Sequence, residues 1–283
     1  MILIDLSQTL IGGIMAQIGP KKNIPLSEDL IRHMCVNTIR SHVVKFKKEY
    51  GEVVLCCDNK EYWRKEFFQF YKSGRKKART KSGLDWPTFF VILNKLTEEF
   101  KENLPYKMMN VQRAEADDII GTLVPRFAPH EPIMIVSADG DFLQLQRHLN
   151  VKQYSPTLKK FIKSINPEMD LFVKILTGES AQGDGIPNVL SDGNSFADSI
   201  QQKSLTKKWI KHLSEINKEY WPEHIRINWS RNETLIDLRH IPPDIAQNII
   251  NTYDNTEPAP RKNLLGYLID KQLVNLIDVV EDF

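Results

Sequence analysis

Hydrophobic positions in the first half of the chain alternate between short apolar runs and longer segments of helical period. Three continuous runs, rich in branched residues, predict buried strands at Ile2 to Ile4, Val53 to Cys57 and Ile133 to Val136. Leu30 to Phe46 and Phe89 to Phe100 repeat apolar residues at helical spacing, and Tyr106 to Val111 adds a shorter apolar run for a fourth strand. Strands separated by helical crossovers predict an α/β domain with a mostly parallel central sheet flanked by helices.

Strand-like apolar runs are not found after about residue 165, and the remaining sequence has helical periodicity with polar loops. The helical segments predicted there are Asp170 to Leu176, Leu205 to His212, Pro243 to Tyr253 and Arg261 to Val280. This change predicts an α/β core over residues 1–165 and a smaller helical C-terminal domain over residues 166–283.

The composition sets limits on the class of protein. The 283 residues carry 38 Lys and Arg against 36 Asp and Glu, a net charge of +2. Three cysteines indicate neither a disulfide framework nor a zinc site, and adjacent Cys56 and Cys57 would point to opposite faces of one strand. The apolar N-terminus lacks a basic flank, and no apolar stretch approaches the ~20 residues of a membrane span. We therefore expect a soluble, monomeric protein of a reducing cytoplasm.

Each of the three strand-like runs ends at or just before an aspartate. Asp5 follows the first run, Asp58 follows the second, and Asp139 and Asp141 lie in the SADGD after the third. A single aspartate at such a place is usually a turn or helix-capping residue. Three in succession predict a shared crevice, because sites in parallel α/β sheets form outside the carboxyl ends of the strands.

Another acidic group opens the helix predicted after residue 113. Glu115, Asp117 and Asp118 fall on the side away from the apolar stripe that contains Ile119 and Leu123, so we expect them to face the crevice. Alone, an acidic first turn only complements the helix dipole. Together with the strand ends it would place seven carboxylates in one pocket, where bound cations or raised pKa values must neutralise them.

Oxygen ligands without histidine or cysteine suit Mg²⁺ or Mn²⁺ rather than zinc. Two such ions about 4 Å apart activate a water and stabilise the leaving oxygen of an in-line displacement at phosphorus, which predicts phosphodiester hydrolysis. A haloacid-dehalogenase-type phosphatase would also place an aspartate after its first strand, but it needs a second aspartate where this chain has Ser7. An RNA-specific PIN-type ribonuclease shares the carboxylate arrangement, and a DNA-binding replication factor with an inert site is the non-enzymatic possibility.

The segment from Lys60 to Lys81 concentrates positive charge and aromatic rings. Its nine basic and two acidic residues give it a charge of +7, so the rest of the chain carries −5. Cations that bind phosphates and rings that stack on bases suit single-stranded nucleic acid. The rings expected to pack are those of Trp63, Phe67 and Phe70. Arg64, Tyr71 and Lys72 are expected to face the site, with Arg64 and Lys72 two turns apart on one helix so that both reach one scissile phosphate.

Several motifs together carry a family resemblance. They read ILIDLSQ, VVLCCDN, EYWRKEFFQFYKSGRKKAR, EADD, IVSADGDFLQL, TGESAQGDGIPN and LIDLRHIPPDI. In order and spacing they resemble the 5′ nuclease (flap endonuclease) superfamily, and within it the ribonuclease H branch of T-even-type bacteriophages. The resemblance implies a magnesium-dependent 5′ to 3′ exonuclease with flap endonuclease activity, which removes RNA primers and a little adjoining DNA from lagging-strand fragments.

The resemblance also assigns roles to residues. The family's direct or water-mediated metal ligands match Asp5, Asp58, Glu115, Asp117, Asp118, Asp139 and Asp141. Residues matching Arg64 and Lys72 polarise the scissile phosphate, and we take these two with Asp5, Asp58, Asp117 and Asp139 as the catalytic set. The tyrosine matching Tyr71 stacks near the terminal nucleotide. A basic bridge or arch at about residues 60–83 would pass a free 5′ strand and bind nucleic acid through Arg75, Lys76, Lys77 and Arg79.

One departure concerns the family's second metal, which usually draws on a Gly-Asp pair followed three residues later by another Asp. Here Glu179 replaces the first aspartate and Asp184 lies five residues on, so we carry over Asp184 as a metal ligand and leave Glu179 open. The family's helix-hairpin-helix glycine pattern is not evident after this loop. Lysines offered in its place as phosphate contacts are Lys203, Lys207, Lys208 and Lys211.

The partners implied are DNA and RNA–DNA hybrids with 5′ ends or flaps, acted on in the host cytoplasm. A sliding clamp and a single-strand-binding protein are further expected partners. The C-terminal Glu281 to Phe283 is either a docking tail for one of them or, by the simpler interpretation, a frayed terminus.

Overall fold

Six strands form one sheet in the computed structural model, which describes residues 1–18, 27–82, 85–180 and 183–283. The strands are β1 (Ile2–Asp5), β2 (Val53–Cys57), β3 (Lys107–Asn110), β4 (Ile133–Val136), β5 (Val151–Ser155) and β6 (Lys160–Ile162). Their order is β3-β2-β1-β4-β5-β6, with all neighbours parallel except β5 and β6. The mostly parallel sheet that the apolar runs predict is therefore confirmed.

Helices cover both faces of the sheet. Those of the first half are α1 (Leu6–Ile18), α2 (Glu28–Tyr50), α3 (Trp63–Phe67), α4 (Arg75–Ser82), α5 (Trp86–Asn103) and α6 (Ala116–Phe127). Those of the second half are α7 (Pro167–Thr177), α8 (Lys207–Glu215), α9 (Glu223–Ile236), α10 (Pro243–Asn255), α11 (Arg261–Asp270) and α12 (Val274–Ile277). Short 3₁₀ helices are Gly140–Arg147, Lys218–Tyr220, Leu238–His240 and Val280–Asp282. Within the described ranges no helix has the length and apolarity that crossing a membrane needs.

Alternation along the strands builds two cores. Ile2 and Ile4 pack with α2, α5 and α11 on one face, while Leu3 packs with α6 and α10 on the other. Cys56 and Cys57 divide in the same way, as their adjacency predicts. Both faces of the central strands are thus buried, which explains why their sequences are continuously apolar.

A third core joins the basic segment to the C-terminal helices. Phe68 and Tyr71 pack with residues of α7, α8 and α9, so the segment after β2 is anchored to the second half of the chain. The 3₁₀ helix Gly140–Arg147 packs along α7, which brings the loop after β4 to the same region.

Several expectations about elements are wrong. The short strands β5 and β6 were not predicted, because their polar residues break the apolar runs. The single helix expected from Arg261 to Val280 ends at Asp270 and continues as two short pieces. The expectation that the C-terminus is frayed is wrong as well. Phe283 is fully buried in the core that contains Ile2 and Ile4, and its main-chain oxygen accepts hydrogen bonds from Arg261 and Lys47.

The expected helix carrying both Arg64 and Lys72 is also wrong. The helix α3 ends at Phe67, and Phe68 is extended (φ −134°, ψ 99°). The backbone then turns, and Lys72 takes a left-handed conformation (φ 58°) in which its N–H donates to the Asp184 carbonyl at 2.8 Å. The ring of Phe67, expected to pack, is 53% exposed. The last residue of the predicted bridge, Gly83, lies outside the described residues, as do Ala181 and Gln182 before Asp184.

Candidate active site

The strands that end in aspartates are neighbours in the sheet. β1 lies between β2 and β4, and connections leave in opposite directions on its two sides, which makes this edge the topological switch point where ligands bind in open α/β sheets. Asp5 ends β1, Asp58 follows β2, and Asp139 follows β4. The strand ends thus bring three predicted site residues to one crevice.

Hydrogen bonds fix these carboxylates. Asp5 accepts from the Ser137 hydroxyl (3.0 Å) and from the Gln8 N–H (3.2 Å). Asp58 accepts from the first N–H of α6 at 2.9 Å, and Asp139 accepts from the Asp141 N–H at 2.9 Å. Each contact is to a backbone or hydroxyl donor, which leaves lone pairs on every carboxylate for a cation.

Asp117 completes what we call the first acidic group: Asp5, Asp58, Asp117 and Asp139. Burial raises the pKa of Asp117 well above its usual range, and the charges of Asp139 and Asp5 add to that effect. Burial, with the charges of Asp58 and Asp139, raises the pKa of Asp5 to about 7. Within the described part of the chain, none of the four forms an ion pair with a side chain. The charge of Lys72 acts on Asp117 without a direct contact and does not cancel the repulsion among the acids, and uncompensated repulsion of this kind favours a bound cation.

The other acids of the α6 turn have a different environment. Asp118 is fully buried, where it accepts from the Trp63 ring N–H (3.2 Å) and the Glu115 N–H (2.8 Å) and pairs with Arg64 at 2.8 Å. The expectation that Asp118 faces the crevice is therefore wrong. The helical period places its side chain on the polar side of the helix, but the ring of Trp63 and the guanidinium of Arg64 cover that side.

Arg64 and Lys72 both converge on Glu115. The Arg64 guanidinium is 2% exposed and donates to Glu115 (3.0 Å) and to the Leu235 carbonyl (2.9 Å). The Lys72 ammonium donates to the other Glu115 oxygen and lies 3.8 Å from Asp184. Although burial acts to lower it, the pKa of Lys72 is raised by the charges of Asp184 and Glu115, so the ammonium stays charged.

Tyr71 lies under this pair rather than in the open crevice. Its ring is 2% exposed, and its hydroxyl is 2.9 Å from Asp184 and 3.2 Å from Glu115. The ring of Tyr62 packs edge-on against it at 5.8 Å and is itself half-buried. A surface for stacking on a base is therefore offered by Tyr62 more than by Tyr71.

We call Asp141, Glu179 and Asp184 the second acidic group, and side-chain cations pair with every member. Lys174 pairs with Asp141 and lies 2.7 Å from Glu179, while Arg75 lies 2.7 Å from Asp184. Burial and the charges of Asp139 and Asp184 raise the pKa of Asp141 to about 6 despite the ammonium. For Asp184 burial acts upward, but Lys72 and Arg75 outweigh it and hold the pKa below its usual range.

The remaining predicted contacts lie on the helices α4 and α8. Lys76 and Lys77 on α4 are exposed, Arg79 lies over the ring of Phe90 (4.6 Å), and Lys208 is exposed on α8. Lys208 borders a surface cleft of about 410 Å³ together with Trp209. α4 thus presents a cationic face on the same segment that holds Lys72.

The eight predicted metal-binding carboxylates and Glu179 do not form one closed cage. In the described ranges no three acidic, histidine or cysteine side chains stand close enough together to enclose an ion as they are placed. The acids instead divide into the first acidic group, the paired second acidic group, and Glu115 with Asp118 bound to basic side chains. The all-oxygen donor set and the raised pKa values of Asp5, Asp117 and Asp141 fit a hard divalent cation.

Three contributors were not singled out from the sequence. Lys174 lies in the last turn of α7, and Ser137 and Gln8 support Asp5. A lysine near a helix C-terminus is ordinary, so only its distance to Asp141 shows its place in the site. Ser137 carried a weak signal, because it lies in the same SADGD as Asp139.

Comparisons with known proteins place this geometry in a family. Residues 23–171 match the family described as 5′-3′ exonuclease, N-terminal resolvase-like domain, and residues 165–283 match that described as T4 RNase H, C terminal. The chain is 34% identical over 301 residues to the ribonuclease H of Enterobacteria phage T4, covering 99% of this chain and 95% of that protein. It is 29% identical to the flap endonuclease Xni of Shewanella halifaxensis over 57% of this chain and 63% of that protein.

Solved structures agree on the fold. The T5 5′-exonuclease with bound zinc aligns with a TM-score of 0.59 at 17% identity, covering 90% of this chain and 97% of that one. A T5 D15 flap endonuclease variant in complex with DNA and metal ions aligns with a TM-score of 0.59 at 18% identity, covering 96% and 98%. A parallel sheet with acids at its switch point and a basic segment beside them defines the class, a nuclease. The chain belongs to the 5′-3′ exonuclease family and is of the T4 ribonuclease H type.

Proposed function

We propose that the chain hydrolyses phosphodiesters in a two-metal reaction, as a 5′ to 3′ exonuclease and flap endonuclease that uses Mg²⁺, with Mn²⁺ able to replace it. The observation that carries the proposal is the first acidic group, which gathers four carboxylates at the switch point, none of them directly paired with a basic side chain among the described residues. Such a group requires a cation or protonation near neutral pH, and hydrolysis at phosphorus is the chemistry that such a cation serves. Two of its relatives are a ribonuclease H and a flap endonuclease, which supports the same reaction.

The first acidic group would hold one ion and the second acidic group would help to hold another. Bound divalent ions would supply an activated water and stabilise the leaving oxygen. The chain supplies orientation: Ser137 and Gln8 hold Asp5, and the first N–H of α6 holds Asp58. Donors that fix a ligand's orientation raise its affinity for metal without adding charge.

Lys72 is the candidate for binding the scissile phosphate. Its ammonium lies at the border between Glu115 and Asp184, where it is 12% exposed, and its left-handed backbone is tied to Asp184. Arg64 was expected in the same role, but its guanidinium is buried behind Glu115. We therefore propose that Lys72 contacts the phosphate and that Arg64 positions Glu115 and Asp118.

The substrate class follows from the surface. Cationic α4 and the half-buried ring of Tyr62 suit a single strand entering beside the crevice, and exposed lysines on α8 suit phosphates farther along. We propose that the substrates are DNA and RNA–DNA hybrids with free 5′ ends or flaps, cleaved as primers are removed during phage replication in the host cytoplasm. A sliding clamp and a single-strand-binding protein remain partners predicted from the resemblance, and the buried Phe283 does not offer a free docking tail.

The test is release of product from a 5′-labelled RNA–DNA hybrid by protein stripped of metal. Cleavage should appear only when Mg²⁺ or Mn²⁺ is added. Asp139→Asn should lower the rate about 10³-fold or more while hybrid binding is kept, since the change removes a metal ligand and leaves the basic surface. Asp270→Asn, at an exposed position of α11, is the matched control and should cleave normally. Cleavage in excess chelator, or normal turnover by Asp139→Asn, would contradict the proposal.

A further inference from the structure

The two acidic groups differ in how their charge is compensated. Members of the first acidic group accept hydrogen bonds only from backbone and hydroxyl donors, or from none, within the described residues. Every member of the second acidic group is paired with a basic side chain. Lys72, which lies near Asp184, also pairs with Glu115, and Arg75 also donates to the Gly183 carbonyl. Among the residues that the structure describes, Lys174 pairs with Asp141 and Glu179 and with no other side chain.

The backbone holds Lys174 and its partners in place. α7 ends at Thr177, and the following Gly178, whose N–H donates to the Lys174 carbonyl at 2.8 Å, turns the chain back with a φ of 65°. Glu179 is then fixed by its N–H, which donates to the Ile186 carbonyl at 2.8 Å. Asp141 comes from the 3₁₀ helix packed along α7. The ammonium therefore bridges two carboxylates that the main chain has already brought together.

The Lys174 side chain is also able to leave. It is 21% exposed, and lysine carries its charge on a flexible four-carbon stem with solvent as an alternative partner. The ammonium contacts Oδ1 of Asp141 and Oε1 of Glu179, so a divalent ion that coordinates the same two carboxylates would lie next to it. Two cations that close repel strongly, so binding of the ion and the Lys174 ion pairs oppose each other.

We propose that Lys174 is the built-in counter-ion of the second acidic group, which a second divalent ion must displace, so that this ion binds more weakly than the first. The inference rests on the proposed function, since it takes the second acidic group as a metal site. Lys174 is a positioning residue in this account: it holds Asp141 and Glu179 together until the ion arrives. The free enzyme then carries one firmly bound ion, and the two-ion state forms only where the metal concentration or a bound phosphate favours it.

The test is a titration of metal-free protein with Mn²⁺ in the absence of nucleic acid. The electron paramagnetic resonance signal of free Mn²⁺ measures how much of the ion is bound. Lys174→Met removes the competing charge and should tighten the second ion by about tenfold or more, while the first ion binds as in wild type. Lys174→Arg keeps a cation and should leave the second ion weak. Lys218→Met is the matched control, because Lys218 also pairs with a glutamate, Glu233 at 3.3 Å, but lies outside both acidic groups.

Other outcomes of the same titration would overturn the inference. A second ion that binds Lys174→Met as weakly as wild type, or more weakly, would show that the lysine only supports the acids and would overturn the inference. Should the methionine variant fail to fold, Lys174→Gln removes the charge with a polar side chain and must show the same tightening. Wild type that binds ions normally while these variants show no tightening contradicts this inference alone. Absence of any bound Mn²⁺ in all of the proteins overturns the proposed function with it.

Discussion

At the residue scale, Asp117 and Asp118 are adjacent in the first turn of α6 yet have opposite surroundings. Asp117 is half-buried, accepts no hydrogen bond within the described residues, and has a raised pKa caused first by burial. Asp118 is fully buried and bonded to Arg64 and Trp63. Replacement by asparagine should therefore affect catalysis at Asp117 and the stability of the fold at Asp118.

We predict that Asp117→Asn abolishes cleavage and leaves the free energy of unfolding of the metal-free protein unchanged or higher, because it removes repulsion. Asp118→Asn should instead lower that free energy by about 3–5 kcal/mol, since it leaves the buried guanidinium of Arg64 without its closest partner. Urea unfolding in the presence of a chelator measures the stability of each variant, and the nuclease assay measures its cleavage rate. Equal effects of the two substitutions on stability would contradict these assignments.

His42 gives the fold an acid-sensitive point away from the site. Burial, with the charge of Lys45, lowers its pKa to about 4, and its ring packs edge-on against Tyr154 at 6.0 Å. The folded pKa lies below the unfolded value near 6.5, so the neutral form is the one that the fold favours. Neutral His42 therefore contributes to the free energy of unfolding in full above pH 6.5. As the pH falls towards 4, protonation lowers that free energy by about 3 kcal/mol in all.

We predict that His42→Phe flattens the fall in the free energy of unfolding between pH 6.5 and pH 4. His130→Gln, at an exposed histidine, is the control and should keep the wild-type slope. Denaturant midpoints across that pH range measure both. A His42→Phe protein with the wild-type slope would show that other groups cause the acid sensitivity.

At the element scale, the turn after α7 decides where the second acidic group lies. A Cβ on Gly178 would come 2.1 Å from the Ile186 carbonyl oxygen and 2.8 Å from the Pro187 backbone. These are backbone atoms that cannot rotate away, and φ is 65°. Only glycine allows α7 to end with Glu179 beside Lys174.

We predict that Gly178→Ala lowers the free energy of unfolding by more than about 2 kcal/mol and weakens Mn²⁺ binding at the second acidic group, because the two segments of the turn must separate. Gly266→Ala in α11 meets nothing within 4 Å and should stabilise the protein by about 0.5–1 kcal/mol. Thermal unfolding of the two variants provides the comparison. A Gly178→Ala protein as stable as wild type would contradict the assigned turn.

The elements that the sequence predicts well are those whose burial dictates their pattern. β2 and β4 have the predicted bounds, because strands covered on both faces must be apolar throughout. The helix expected from Arg64 to Lys72 fails for a tertiary reason. Aromatic spacing there fits a helix, but the hydrogen bond from Lys72 to Asp184 and the packing of Phe68 and Tyr71 outweigh local preference.

At the scale of the whole molecule, the convergence of the strand-end aspartates follows from topology and could be predicted. Once β1 and its neighbours are parallel, Asp5, Asp58 and Asp139 must meet at one edge. The partner of each charge could not be predicted, because it depends on contacts between distant segments. The pairing of Asp141 with Lys174 and the burial of Asp118 by Trp63 are of this kind.

The proposed function requires that acids from distant segments hold divalent cations at the switch point of the sheet. Anomalous diffraction from crystals soaked in Mn²⁺ would locate such ions. We predict one strong peak within coordination distance of the first acidic group and a weaker one at the second acidic group. A crevice without a peak at Asp5 and Asp139 under saturating Mn²⁺, or peaks only at unrelated surface acids, would contradict the account.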